Sequence, residues 1–153
     1  MQNNLTMKPF RFRLDKILGY RKHLKKIAQI DLFNARTECI KREKEVKRLS
    51  EKREEIVKSC SDEGLKGIEV SRYNIYQAYL YKIMHDLESA HTRLKQEKEN
   101  VITKRAILTN ESIKKKTLET LKDMQHNKYV EVSEREDQKN LDDMVITGRG
   151  RRI

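Results

Sequence analysis

The chain has 153 residues, 39% charged and 36% hydrophobic, with one proline and five glycines. A mean hydropathy of −0.92 leaves too little apolar surface for a thick layered core, and the longest clean apolar run, Ala78 to Tyr81, is too short for a transmembrane span or a secretory signal. The net charge of +11 favours an acidic partner, whether nucleic acid, anionic membrane or protein face.

In chain order, residues 1–9 form a polar lead that ends at Pro9 and is expected to be disordered. A stripe of positions stepping alternately by four and three follows: Leu14, Leu18, Arg21, Lys25, Ala28, Leu32, Ala35, Cys39, Arg42, Val46, Leu49, Arg53 and Ile56. A period of about 3.5 residues keeps a narrow seam on one side of a slightly under-wound helix, and such a seam buries itself only against another helix. The pattern predicts a first helix over about 12–60. Ser61-Asp62-Glu63-Gly64-Leu65-Lys66-Gly67 then combines two glycines with acceptor side chains, which is turn chemistry and predicts a loop over 61–67. Ser71 has the chemistry of an N-cap, without the Glu or Gln three residues on that would complete a capping box.

A second stripe runs Tyr76, Leu80, Ile83, Leu87, Ala90, Leu94, Glu97, Val101, Lys104, Leu108, Glu111, Lys115, Leu118, Lys122, Gln125, Tyr129 and Val132. It predicts a second helix over about 68–144. Gly148 and Gly150 end it, and residues 148–153, with Arg149, Arg151 and Arg152, form a basic tail expected to be disordered. Residues 10–147 therefore read as a single all-α domain: a long two-helix antiparallel coiled-coil hairpin with an overhanging C-terminal helix.

A turn centred near residue 64 places Leu14 opposite Lys114 and leaves about the last 25 residues of the second helix without a mate. Leu118, Leu121, Met124, Tyr129, Val132, Leu141 and Met144 lie there, and an apolar stripe on a solvated helix marks a docking surface. The same end divides by charge. Residues 8–26 hold Lys8, Arg11, Arg13, Lys16, Arg21, Lys22, Lys25 and Lys26 against Asp15 alone, whereas residues 131–143 are dominated by Glu131, Glu134, Glu136, Asp137, Asp142 and Asp143. On the outer faces, Glu43–Lys47, Glu54–Lys58 and Glu111–Lys115 have the spacing of favourable helical ion pairs. Tyr73, Tyr76, Tyr79 and Tyr81 cluster just past the loop, and tyrosines off the seam suit an interface.

Chemistry is hard to find. Gly64-x-x-Gly67 is too short for a phosphate-binding loop and no strand precedes it. His85 and His91 point about 120° apart around a helix and cannot share a metal, while His23 and His126 read as plain surface residues. Adjacent carboxylates such as Glu54-Glu55 and Asp142-Asp143 splay apart on a helix and make no acid/base pair. Cys39 and Cys60 would sit ~30 Å apart on one helix, beyond disulfide reach, which suits a reducing compartment. A thin hairpin offers no water-excluding pocket, so the reading is of a non-enzyme without cofactor or metal, cytoplasmic and monomeric alone. Nucleic-acid binding is disfavoured, because a glycine loop and a long second helix do not belong to a basic-zipper architecture.

Three blocks carry a resemblance. Phe10-Arg-Phe-Arg-Leu14-Asp-Lys-Ile-Leu18 opens the chain, Gly67-Ile68, Arg72-Tyr73, Tyr76-Gln77 and Tyr79 follow the loop, and Glu136-Asp-Gln138-Lys-Asn-Leu141-Asp142-Asp143-Met144 closes it. Together, over roughly residues 8–147, they resemble the FliJ family, the small soluble component of the bacterial flagellar type III export apparatus. The resemblance implies a coupling and escort protein of flagellum biogenesis and motility, shaped like the shaft of a rotary ATPase and located at the inner face of the membrane at the flagellar base. It implies docking of the open end into the export ATPase hexamer, here expected through Leu14, Ile17, Leu18, Arg21, Leu24, Gln138, Leu141, Asp142 and Met144. It also implies contact with the export-gate membrane protein and with export chaperones. The family's gate patch, an aromatic, a leucine, an alanine and a histidine stepping by four, three and four, falls on Tyr79, Ile83, Asp86 and Ala90, with Tyr73 beside it. Tyr79 and Ile83 match in kind; Asp86 and Ala90 do not. The alternative from a different class is a free-standing coiled-coil scaffold or chaperone, or the stalk protein of a virulence-type secretion system.

Overall fold

The structure is a computed structural model that describes residues 8–149. It contains two helices, α1 (Asp15–Lys66, 52 residues) and α2 (Val70–Arg149, 80 residues), packed against each other as an all-α hairpin with no strand among the described residues. The expected lead over 1–9 falls largely outside the described residues; α2 continues through Gly148 to Arg149, past the end expected near 144, and the rest of the expected tail, 150–153, lies outside the described residues.

Local chemistry sets the helix ends. The Asp15 N–H donates to the Phe12 carbonyl at 3.2 Å, and the Asp15 carboxylate sits in the first turn, where the helix dipole favours negative charge. At the other end, the Gly67 N–H donates to the Gly64 carbonyl at 3.3 Å with φ +87° at Gly67. That left-handed conformation is cheap only for glycine and closes the helix. The Tyr73 N–H donates to the Glu69 carbonyl at 3.0 Å and opens α2. The link is thus Gly67-Ile68-Glu69, shorter and later than the loop expected over 61–67, and Ser71 lies inside the first turn of α2 rather than before it.

Contacts divide the chain into two units, each described by itself: a loop unit, residues 26–109, and a terminal unit, the described residues 8–25 with 110–149. In the loop unit Ala28, Leu32, Ala35, Leu49, Ile83, Leu87 and Ala90 are buried, all of them on the two stripes. Leu49, Ile83, Leu87 and Ala90 form one cluster, with Val46 and Ile56 packed against it. Polar side chains flank it: Arg42 reaches Glu38 and Glu45 at 3.2 Å each, and Arg93 reaches Glu45 across the hairpin at 3.7 Å. Charged groups within a seam weaken it relative to apolar ones but fix its register.

A carboxylate anchors the link. Glu63 accepts from Arg72 Nε at 2.9 Å and Nη2 at 3.0 Å and from the Tyr76 hydroxyl at 2.9 Å. This two-pronged pairing ties the last turn of α1 to the first turns of α2 and keeps Ser61 to Gly64 helical, where sequence chemistry alone favoured a turn. The bond to Glu63 pushes the Tyr76 phenol above its ordinary value, helped by desolvation and by the negative charge of Glu63, against an opposing pull from Arg72. The neutral phenol is therefore the form favoured by folding: its stabilisation is present below the ordinary tyrosine pKa and is lost as pH rises through the raised value. Ultraviolet tyrosinate titration of the Tyr76→Phe variant is expected to remove one proton from the alkaline end of the curve; removal from the middle would contradict the contact.

In the terminal unit Phe12 and Leu18 are buried, at 7% and 3% exposure. Lys122 Nζ donates to Asp15 Oδ1 at 2.9 Å and lies 5.9 Å from the Phe12 ring centroid. Arg21 lies 3.5 Å from Glu111, whose side chain is only 14% exposed. The pairing of Asp15 with Lys122 brings Leu14 beside Lys122, about eight residues beyond the expected Lys114, as the later link requires. None of the three outer pairs expected at i,i+4 forms among the described residues: Glu111 turns to Arg21 and Lys114, Lys115 pairs with Glu119, and Lys47 with Glu51.

Candidate interaction surfaces

The residues just before α1 lie against α2. The Phe10 ring meets His126 edge-on at 5.1 Å and Tyr129 at 5.7 Å, and the Tyr129 hydroxyl donates to the Lys8 carbonyl at 2.9 Å. Sequence reasoning missed Phe10 and Phe12 as packing residues because they precede the first heptad. His126 is exposed, as expected of a surface residue, and also meets the Phe10 ring; the alternation of Phe10 and Phe12 was a signal that one side of this segment is apolar.

Tyr129 is therefore mated, and Leu118 and Leu121 are half-buried. The unmated part of α2 begins beyond Tyr129, later than expected. Every described side chain from 134 to 148 is exposed, including Leu141 at 63% and Met144 at 71%, with Val145 and Ile146 beside them. Leu141, Met144 and Val145 have the i, i+3, i+4 spacing of one helix face. Glu134 and Asp137 continue the same line toward the N-terminus of α2, so this face is apolar at one end and acidic at the other.

The residues expected at the ATPase divide by environment. Ile17, Gln138, Leu141, Asp142 and Met144 are exposed; Leu14, Arg21 and Leu24 are half-buried, with Arg21 occupied by Glu111; Leu18 is buried in the seam. Leu18 consequently holds the two helices together rather than presenting a surface.

The gate residues divide as well. Tyr73 and Tyr79 are 45% and 40% exposed, Lys52 Nζ lies 5.5 Å from the Tyr79 ring centroid, and Asp86 is half-buried. Ile83 and Ala90 are 4% and 2% exposed and belong to the buried cluster with Leu49 and Leu87. These two positions cannot touch a partner while α1 covers them. Beside them, an open groove is lined by Arg53, Met84, Glu88, His91 and Lys95.

Among the described residues no three His, Cys, Asp or Glu side chains converge as metal ligands, and no helix is long and apolar enough to cross a membrane. The chain matches the family model described as "Flagellar FliJ protein" over residues 10–152. It is a member of the FliJ family. The matched span of this FliJ-family chain includes the aromatic segment before α1, the link and the exposed end of α2. No curated protein and no solved structure matches the chain. Membership gives it a role in flagellar protein export.

Proposed function

We propose that this FliJ-family chain is a non-enzymatic coupling and escort component of flagellar export, working by what it touches at two separate surfaces. The observation that carries the reading is the exposed end of α2: an amphipathic helix with Leu141, Met144 and Val145 on one face and no covering residue among those described. A solvated helix keeps such a face only at a cost in solubility, which a partner surface offsets. The ATPase hexamer takes this end, through Leu141 and Met144 with Gln138 and Asp142 at its margin, while Ile17, exposed on α1 near the seam, makes a separate contact. The export gate's cytoplasmic domain takes the start of α2 through Tyr73 and Tyr79, with Asp86 beside them, while Ile83 and Ala90 keep α2 seated. Export chaperones are further partners, and the chain is held at the flagellar base through these contacts.

Two variants test the separation. Leu141→Asp with Met144→Asp is expected to abolish binding to the export ATPase in a co-sedimentation assay while leaving helicity and gate binding unchanged. Tyr79→Ala is expected to do the reverse. Equal loss of both partners in either variant would reject the assignment of two surfaces.

A further inference from the structure

We infer that the outer face of α1 over residues 26–44 is a docking surface for an acidic amphipathic helix of a second protein. None of its residues is among those assigned to the ATPase or the gate, so the inference goes beyond the proposed function and does not depend on it.

In this stretch α1 is apolar on two opposite sides. Ala28, Leu32 and Ala35 are buried in the seam. On the far side Ile30, Phe33 and Ile40 are 53%, 69% and 50% exposed, although a helix with one partner needs only one apolar stripe. With Thr37 they step by three, four and three, which keeps them in line along the helix. The Thr37 hydroxyl donates to the Phe33 carbonyl at 3.0 Å, so the one hydroxyl on this line is turned back to the backbone. Lys26 lies four residues before Ile30 and Lys44 four after Ile40, closing the line with a cation at each end. Lys26, Arg36, Lys44 and Arg48 are exposed and make no ion pair among the described residues. Nearby carboxylates are engaged elsewhere: Glu38 meets Lys41 and Arg42, and Glu43 meets Lys98 at 4.0 Å. Asp31 directly precedes the seam residue Leu32 and so flanks the seam instead.

Charge and shape identify the occupant. Cations without partners around an exposed apolar line select an anionic molecule with an apolar face of its own. The line is narrow. A three-residue step turns about 310° at 3.5 residues per turn, so the line stays within about 50°. That is roughly half the apolar arc of an ordinary amphipathic helix. Its margins are polar, with Gln29 and Arg36 on one side and Asn34 and Lys41 on the other; Ile27 widens it only at its first turn. A bilayer rewards a broad apolar face sunk into the headgroups, whereas a ridge one residue wide fits between the side-chain rows of another helix. The dimensions follow. Ile30 to Ile40 spans about 15 Å and Lys26 to Lys44 about 27 Å. The matching helix is about 18 residues long, apolar along one side of its middle and carboxylate-bearing at both ends. Phe33 is the anchor, because an exposed aromatic ring offers the largest area to bury. The contact is small and partly ionic, so it is reversible and weakens with salt.

The test is fluorescence anisotropy of a labelled synthetic peptide titrated with the full chain. The peptide has about 20 residues, with leucines stepping by three and four through its middle and glutamates at both ends. The expected result is saturable binding whose Kd rises about tenfold or more with Phe33→Asp, and again with Lys26→Glu and Lys44→Glu together. All three side chains are exposed, and unchanged circular dichroism of each variant confirms that the fold survives. A second peptide with lysines in place of the glutamates should prefer the doubly reversed chain. Met84→Asp on α2 should leave binding unchanged. Absence of saturable binding would overturn the inference, as would binding indifferent to Phe33→Asp or to the exchange of charge. Partition of the chain onto phosphatidylglycerol vesicles that Phe33→Asp abolishes would overturn it in favour of a bilayer. A dimer in sedimentation that the same variant dissolves would overturn it in favour of a second copy.

Discussion

Leu87→Asp is expected to lower the stability of the loop unit by about 4 kcal/mol and to abolish its cooperative melting transition near room temperature. Leu87 is 7% exposed and sits in the cluster formed by Leu49, Ile83 and Ala90. The substitution replaces the three apolar carbons beyond Cβ, whose loss alone costs ~3 kcal/mol, with a carboxylate that no cation within the cluster meets. A seam between two helices has no second layer to take up the loss, so the damage is not diluted as it would be in a thicker core. Met84, three residues away and 60% exposed, provides the control. Met84→Asp is expected to change stability by less than about 0.5 kcal/mol. Circular dichroism melts of the two variants check both values, and equal destabilisation would contradict the seam as drawn.

Phe12→Ala is expected to cost about 3 kcal/mol in the terminal unit and to free residues 8–14 from α2. Phe12 is 7% exposed although it precedes α1, with the Lys122 ammonium near its ring. Truncation leaves a cavity beneath an extended segment that has few other anchors: the Phe10 ring on His126 and Tyr129, and the Lys8 carbonyl on Tyr129. Hydrogen exchange reports the result by location. Protection should fall around Asp15 to Leu18 and around Lys122 to Tyr129, and stay unchanged at Leu49 and Leu87.

The seam was legible in the sequence because a 3.5-residue period over so many turns has few other uses. Among the described residues every buried hydrophobic residue except Phe12 lies on one of the two stripes, and even the charged seam positions Lys104, Glu111, Lys115 and Lys122 are half-buried. Phe12 escaped because it packs from an extended segment, where heptad counting has nothing to count.

The link was misplaced for a different reason. Ser61, Asp62 and Gly64 favour a turn by local chemistry, but the pairing of Glu63 with Arg72 and Tyr76 is tertiary, and it carries the helix on to Gly67. That shift moved the register of the terminal unit and shortened the unmated part of α2. The outer ion pairs failed for a related reason, since Glu111 had a partner across the seam in Arg21 that no helical spacing reveals.

The surface residues show where pattern matching and periodicity collide. Ile83 and Ala90 stand on the second stripe and also on the positions that a family patch would occupy. Leu18 stands on the first stripe and among the residues expected at the ATPase. In each case burial decides in favour of the seam. Leu141 and Met144 had no such conflict, being off any paired stretch of helix, and they are exposed.

The central claim, that the exposed end of α2 couples this chain to the export ATPase, is tested most directly by steady-state ATP turnover of that ATPase titrated with the chain and with its Leu141→Asp, Met144→Asp variant. The account predicts a saturable stimulation by the native chain and none by the variant, whose fold is intact by circular dichroism. Equal stimulation by both, or no response to the native chain at any concentration, would contradict it.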